Sequence, residues 1–339
     1  MLLNRYTHAS DCRAAAMEEV SRSNSVGLEA NPSTPQMRQK ALIALLIVTS
    51  VWGATFIWMK QALNALEPQI ELYGSEEVVG VLVAARFAVA TLVMMFFSKA
   101  RAALADPEQW KGGLILGGLM LVGFVTQMIG LDDINPSVSA FLTSLYVVFT
   151  ALFTVAMTRS RPSRSLIFGV VLATLGAGFI EGPPHLTWGM GEVLTVACAV
   201  FFALHIIYTQ KITQKLDPIG VTQTSFAVVT LGSILFVFLL GGGTSSNQWS
   251  YVFNDGVFLP VLLLGIGGSF FCLLLLNMFQ RYLHPIQAAI IYALEPVWAT
   301  IYGLGLGLVD WTFWILIGGG ALFIGNIGVE IFSSASGEE

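Results

Sequence analysis

Glu295 is the residue that most demands a chemical explanation. It stands in residues 285–307, a run otherwise free of Asp, Glu, Lys and Arg. It lies about ten residues from the start of that run, so roughly 15 Å deep at 1.5 Å per helical residue. If the run crosses a bilayer, a charge there costs about 3 kcal/mol on insertion scales and marks a functional position by default. Pro296 follows and has no amide hydrogen, so a kink that turns carbonyls toward a cavity is expected. The alternative is a protonated Glu hydrogen-bonded to a neighbouring helix. Arg86 is the one charge in residues 78–97. It either neutralises Glu295, binds a substrate carboxylate, or snorkels outward to Glu67 or Glu71. Trp52, Gln127, Asn277 and Tyr292 are polar or amphipathic residues inside apolar runs and are candidates for a cavity wall. Lys60 reads as an interfacial residue and His205 as a packing histidine.

Such residues need membrane helices to hold them. Of 339 residues, 55% are hydrophobic and only 11% charged, against about 25% in a typical soluble domain. A soluble fold of this size could not cover its surface with so few charges. The net charge of −5 offers phosphates no basic field, which excludes a nucleic-acid partner. Residues 41–59, 112–131, 134–158, 193–210, 256–280 and 311–329 carry no charge at all, and a span needs roughly 20 apolar residues. With 78–97, 285–307, the short 165–180, and 218–254 divided by a Gly241–Asn247 loop, the sequence predicts ten helices. They fall near 41–60, 78–98, 112–131, 136–157, 165–180, 190–210, 219–240, 257–279, 285–307 and 311–331. Asn135-Pro136, Asp217-Pro218 and His284-Pro285 mark three starts, because proline at the first helical position leaves no orphan amide and Asn or Asp before it can cap.

Charge then fixes orientation. With the N-terminus inside, 14 of the 16 basic residues fall on inside segments, and the exceptions are Lys60 and Arg86. Outer loops carry Glu67, Glu71, Glu76, Glu77, Asp132, Asp133, Glu181, Asp255 and Asp310. Ten spans and the positive-inside rule agree, giving a multi-pass protein of the cytoplasmic membrane with both termini cytoplasmic. Residues 1–39 are expected to be a disordered cytoplasmic tail, residues 333–339 a short second one, and the first helix an uncleaved anchor.

The chain also repeats. At an offset of 149 residues Asn135-Pro136 falls on His284-Pro285, Ala140 on Ala289, Leu145 on Leu294, Val148 on Val297, Gly169 on Gly318, Gly176 on Gly325 and Glu181 on Glu330. The same frame sets Tyr146 against Glu295, so an acid and a phenol would face one another across a pseudo-twofold axis and hold a polar substrate asymmetrically. The halves are 40–181 and 187–332. Five helices is an odd number, so the second half enters the membrane inverted. Inverted repeats supply two similar minima, one open to each side, with a site near the midplane. That is the design of a secondary transporter; a channel or sensor could inherit it.

The motifs carry a resemblance too. Trp52-Gly53-Ala54-Thr55-Phe56, Arg86-Phe87, and Gln280-Arg281-Tyr282-Leu283-His284-Pro285 followed by Ala288-Ala289 and Leu294-Glu295-Pro296-Val297 resemble the EamA branch of the drug/metabolite transporter superfamily. Asp310 after Val309 replaces that family's usual Gly-Glu, Val147 replaces a common proline, and the loop 61–77 is longer and more acidic. The resemblance covers roughly residues 40–332. It implies helices 1–4 and 6–9 around a central cavity, helices 5 and 10 peripheral, and export or exchange of small metabolites such as amino acids.

Enzymatic readings find little support. His8, His185, His205 and His284 are scattered, the three cysteines (Cys12, Cys198, Cys272) lack ligand spacing, and neither H-E-x-x-H nor a Walker A pattern occurs. Gly303-x-Gly305-x-Gly307 lies in a membrane helix and is no dinucleotide fingerprint. Gly113-x-x-x-Gly117 and Gly318-Gly319-Gly320 suggest close helix approach instead. The expectation is therefore an alternating-access carrier without cofactor or metal. Its partners would be a small-molecule substrate, the lipid bilayer and a coupling proton at Glu295, with a homodimer left open.

Overall fold

The computed structural model describes residues 34–159, 162–179, 189–240, 249–307 and 310–335. Most of the expected tails, Glu181 and the Gly241–Asn247 loop lie outside these residues. Among the described residues all regular structure is helical. The principal helices are α1 Pro35–Ala65, α2 Ser75–Met94, α3 Pro107–Asp133, α4 Pro136–Thr158, α5 Arg164–Phe179, α6 Met190–Thr213, α7 Pro218–Leu239, α8 Phe258–Tyr282, α9 Pro285–Gly305 and α10 Phe313–Ala335. Eight are long and apolar enough to span a bilayer, while α5 and the apolar part of α10 are shorter. Large apolar side chains such as Leu92, Phe96, Leu231, Leu239, Phe313 and Ile324 are exposed on the outside, where lipid rather than water is the compatible solvent.

Proline opens more helices than expected. Besides α4, α7 and α9, proline also starts α1 and α3. Thr34 accepts from the Met37 amide and Asp106 from that of Glu108. These two helices begin before their charge-free runs because Arg38, Lys40, Glu108 and Lys111 occupy their first turns. Asp217 caps α7 by accepting from Ile219 and Gly220, and His284 Nδ1 accepts from Ile286. Asn135 has the extended backbone of a cap but makes no side-chain cap bond. The stretch 61–77, expected as a loop, is mostly helical: α1 continues to Ala65 and a short helix, Glu67–Tyr73, follows. Gly74, at φ 88°, then redirects the chain into α2.

The packing is that of two inverted halves. α1 packs on α9 as α6 packs on α4; α3 packs on α7 as α8 packs on α2; α3 meets α6 as α8 meets α1. The remaining main contacts, α2 with α7, α4 with α9 and α5 with α10, are each their own mirror. Exchanging the halves therefore maps the contact pattern onto itself, as a pseudo-twofold axis requires. On that axis the Phe87 and Phe226 rings meet at 5.7 Å and the Thr91 and Thr230 hydroxyls at 3.4 Å. α5 and α10 form a peripheral pair. A Cβ on Gly176 would fall 2.6 Å from the Gly318 carbonyl oxygen, and one on Gly325 3.3 Å from that of Gly169. These are the positions that the 149-residue offset equates. Of the three consecutive glycines, Gly319 and Gly320 face open space, and Gly318 contributes the carbonyl that Gly176 approaches. The protein is thus an all-α polytopic membrane protein of ten transmembrane helices in two inverted five-helix repeats.

Two outcomes follow from this packing. Gly176→Val is expected to cost about 1–3 kcal/mol, the usual range for overpacking, read as a lower Tm in detergent. Gly319→Ala, whose added methyl meets nothing within 4 Å, should leave Tm unchanged. The second concerns Asp217, 2.8 Å from Lys99. Burial opposes its ionisation, but hydrogen bonds from Lys99 and from the Gly220 and Ile219 amides outweigh burial and hold its carboxyl below the ordinary value. A lowered native pKa contributes stability above the unfolded value, about 3.9, that is lost as pH falls through the native one. Asp217→Asn should therefore flatten the acid limb of Tm against pH, and an unchanged limb would show that the link contributes nothing.

Candidate substrate site

Both helices that carry the acid and the phenol are broken at mid-length. α4 divides into Pro136–Ser144 and Tyr146–Thr158, and α9 into Pro285–Tyr292 and Glu295–Gly305. At each break the ladder tightens: Leu145 donates to the Leu142 carbonyl at 3.3 Å and Leu294 to that of Ile291 at 3.1 Å. In α9 the cause is Pro296, which has no hydrogen to offer the Tyr292 carbonyl. α4 has Val147 instead. Its break falls beside Ser144, whose hydroxyl donates back to the Phe141 carbonyl at 2.6 Å and competes with the backbone ladder. The residue after each break is the first of a new half-helix, the end that favours negative charge. Those residues are Tyr146 and Glu295, and Tyr146 Oη donates to Glu295 Oε2 at 3.2 Å.

This contact forms part of the wall of a small cavity between the two halves. Trp52, Phe124, Phe202 and Tyr292 supply aromatic walls, and Arg86, Gln127, Thr143, His205, Tyr146 and Glu295 the polar ones. Most of the polar groups are already satisfied. Trp52 Nε1 donates to the Gly268 carbonyl at 3.0 Å, Gln127 Nε2 to Thr143 Oγ1 at 3.2 Å, and Tyr292 Oη to Gln280 Oε1 at 3.0 Å.

Arg86 differs. Its side chain is buried, at 1% exposure, so it does not snorkel to Glu67 or Glu71. Nε donates to Ser269 Oγ at 2.6 Å, Nη1 points at Met59 Sδ at 3.7 Å, and the guanidinium lies 4.5 Å from the Phe124 ring centre. Nη2 has no hydrogen-bond partner among the described residues. Arg86 and Glu295 make no ion pair, although both line the cavity.

Six of the seven residues singled out from sequence, Glu295, Arg86, Tyr146, Trp52, Tyr292 and Gln127, share this cavity. Asn277 does not: it is buried outside the wall and donates to Thr222 Oγ1 at 2.7 Å. Lys60, expected at an interface, reaches the outer end of α3, where its ammonium donates to the Leu131, Asp132 and Ile134 carbonyls at 2.9, 2.8 and 3.4 Å. It caps the C-terminal end of α3. His205 is more than packing: it lines the cavity and its Nε2 has no partner among the described residues. A signal for His205 existed in the repeat, since Lys60 and Gln210 reach the equivalent carbonyls of Asp132 and Arg281. That register sets Thr55, also in the wall, against His205. Phe124, Phe202 and Ser269 carried no signal among so many apolar and small residues.

Ten spans in inverted halves, with two broken helices and a polar chamber where they cross, define a polytopic membrane protein with a candidate site at the meeting of its repeats. The model of the EamA-like transporter family matches the chain twice, over residues 39–181 and 189–330, so the chain belongs to that family, within the drug/metabolite transporter superfamily. It is similar to an uncharacterized transporter of Archaeoglobus fulgidus, 26% identical over 270 residues that cover 79% of either chain. A shorter match, 26% over 137 residues, joins it to an uncharacterized transporter of Synechocystis sp., covering 39% of this chain and 42% of the other. One solved crystal structure shares the fold at a TM-score of 0.65 and 15% identity, covering 88% of this chain and 98% of that one. The protein is a multi-pass membrane protein of a transporter family.

The capping role of Lys60 can be checked by stability. Lys60→Met keeps the apolar stem but leaves the α3 carbonyls without a donor. The expected loss is about 1.5–3 kcal/mol, the range for hydrogen bonds to a charged group, read as a fall in Tm.

Proposed function

We propose that the protein is a secondary carrier that exports amino acids or closely related zwitterionic metabolites by alternating access. One observation carries this reading: Arg86 and Glu295 line a single buried cavity without pairing. A substrate carboxylate would meet the free Nη2 of Arg86, its ammonium would meet Glu295, and its side chain would lie among Trp52, Phe124, Phe202 and Tyr292. Both charges then gain a partner only when substrate is present, which offsets the cost of taking each of them out of water. Gln127 would support the wall through Thr143. Broken helices at the crossing of inverted halves supply the second element, since rocking of repeat 40–181 against repeat 187–332 would open the chamber to either side in turn.

The distribution of basic residues supports cytoplasmic termini in a cytoplasmic membrane, with the tails 1–39 and 333–339 inside. Export is the direction that the family resemblance implies. Glu295 is also the group suited to carry a coupling proton, because it is the carboxyl group in the cavity wall and accepts from the Tyr146 hydroxyl.

Counterflow in proteoliposomes tests this. The wild type is expected to exchange amino acids saturably, whereas a channel would pass solute without exchange kinetics. Arg86→Gln and Glu295→Gln should each lower exchange by about tenfold or more, equivalent to losing one charge-assisted contact. Glu295→Gln should also abolish any response to a pH gradient; wild-type flux indifferent to that gradient would remove the proton from the scheme.

A further inference from the structure

We propose that a π-helical turn in α8, Leu264–Phe271, is a built seat for the Arg86 guanidinium, in which Ser269 is a positioning residue that fixes Nε while Nη2 keeps no protein partner among the described residues. The proposal rests on the reading of the cavity given above and adds the device that makes Arg86 able to bind.

An arginine side chain is long and loses considerable rotamer freedom when fixed. Here it is fixed from several directions. Ser269 Oγ accepts from Nε at 2.6 Å, the Phe124 and Phe87 rings lie 4.5 and 5.6 Å from the guanidinium carbon, and Met59 Sδ stands 3.7 Å from Nη1. Nη2 alone has no partner among the described residues, and it is fully buried. Ser269 and Met59 thus engage two of the three guanidinium nitrogens, and two aromatic rings flank the group.

The π turn is what makes this seat. π-helical turns are rare and gather at functional sites, because the wider ring shifts side chains and carbonyls out of α-helical register. In α8 the shifted residues meet both neighbouring helices. Gly268 offers its carbonyl to Trp52 of α1, and Ser269 offers its hydroxyl to Arg86 of α2. Gly265 allows the close approach, since a Cβ there would lie 2.9 Å from the Arg86 carbonyl oxygen. A Cβ on Gly268 would lie 3.1 Å from Nη2 and 2.7 Å from Thr55 Cγ2. Glycine at 268 is therefore what lets the π turn pack this closely against Thr55 and the guanidinium edge.

The other repeat supplies an internal comparison. The 149-residue offset maps Leu264–Phe271 onto residues 115–122, which continue as plain α-helix within α3. The contacts Phe87–Phe226 and Thr91–Thr230 set the α2–α7 register at 139 residues, so Arg86 is equated with Ser225. Ser225 only donates to the Val221 carbonyl of its own helix. The π turn occurs in the repeat that faces the arginine and is missing where the facing residue is a serine.

The probes for a test are L-phenylalanine and phenethylamine, which differ by one carboxylate, in counterflow on proteoliposomes holding the full chain. The wild type should prefer L-phenylalanine. Ser269→Ala should raise the half-saturating L-phenylalanine concentration about tenfold, the equivalent of one charge-assisted hydrogen bond, while phenethylamine exchange and the maximal rate stay near wild type. Ser269→Cys, close in size but a poor acceptor, carries the same expectation if the alanine variant does not fold. Equal wild-type exchange of the two probes, or exchange of neither, overturns the reading of the cavity and this proposal with it. A wild-type preference for L-phenylalanine that survives Ser269→Ala and Ser269→Cys unchanged overturns the positioning proposal and leaves the cavity reading standing.

Discussion

Lipid offers backbone groups no hydrogen bonds, so a helix can break within a membrane only where protein or a polar chamber receives its freed groups. That constraint organises this molecule. α4 and α9 break at equivalent positions, next to one another, and the first residue after each break reaches across to the other: Tyr146 donates to Glu295 at 3.2 Å. The acid thus sits where two half-helix N-termini converge, an arrangement that suits negative charge. Around this crossing the other helices form a shell, and α5 with α10 pack outside as a pair that touches the rest mainly through α4 and α9. If the two breaks were mended, neither the chamber nor the contact at its centre would persist.

The scaffold is symmetric but its lining is not. Glu295 is equated with Tyr146, Arg86 with Ser225 and His205 with Thr55. At each of these positions one repeat supplies an ionisable or strongly polar group and the other a hydroxyl. Pseudo-symmetry of the backbone gives the two halves equivalent ways of closing against one another. Asymmetry of the side chains gives the chamber a fixed polarity, so on the proposed reading a bound zwitterion keeps its orientation throughout a cycle. The backbone equivalence extends to the helix ends: Lys60 ties α1 to the end of α3 at the Asp132 carbonyl, and Gln210 ties α6 to the end of α8 at the Arg281 carbonyl.

Much of this was legible in the residues, and what was not has physical reasons. Charge-free runs locate spans because an unpaired charge is costly in lipid, but a run of uncharged residues marks only the lipid-facing length. It missed the early starts of α1 and α3, whose first turns carry charges where water still reaches. Thr34-Pro35 and Asp106-Pro107 would have shown those starts, being the same capping pattern read correctly at Asp217-Pro218. Tyr146 was found through the repeat and not through its own chemistry, since a single offset equates residues that the fold brings into contact. Asn277 was misplaced because polarity within a span does not say which face a residue occupies; its partner is Thr222 of α7, not the chamber. Ser269 was invisible: a serine among glycines and leucines acquires its role only from the π turn, and no periodicity in that stretch announces a change of register.

Arg86 shows why geometry had to complete the reading. From sequence its charge left three readings open: neutralising Glu295, binding a substrate carboxylate, or snorkelling to Glu67 or Glu71. In the structure Arg86 and Glu295 stay apart, and the guanidinium is held by a hydroxyl, two aromatic faces and a thioether. None of these neutralises it. Burying an uncompensated cation costs several kcal/mol even after relaxation, and cation–π contacts return only about 0.5–2 kcal/mol each. A residue kept for packing alone would be better served by a leucine or methionine of similar bulk. The remaining cost is tolerable if the counter-charge arrives and departs with a ligand, a reading that suits a guanidinium nitrogen without a protein partner and an acid across the same cavity that also lacks a cationic one.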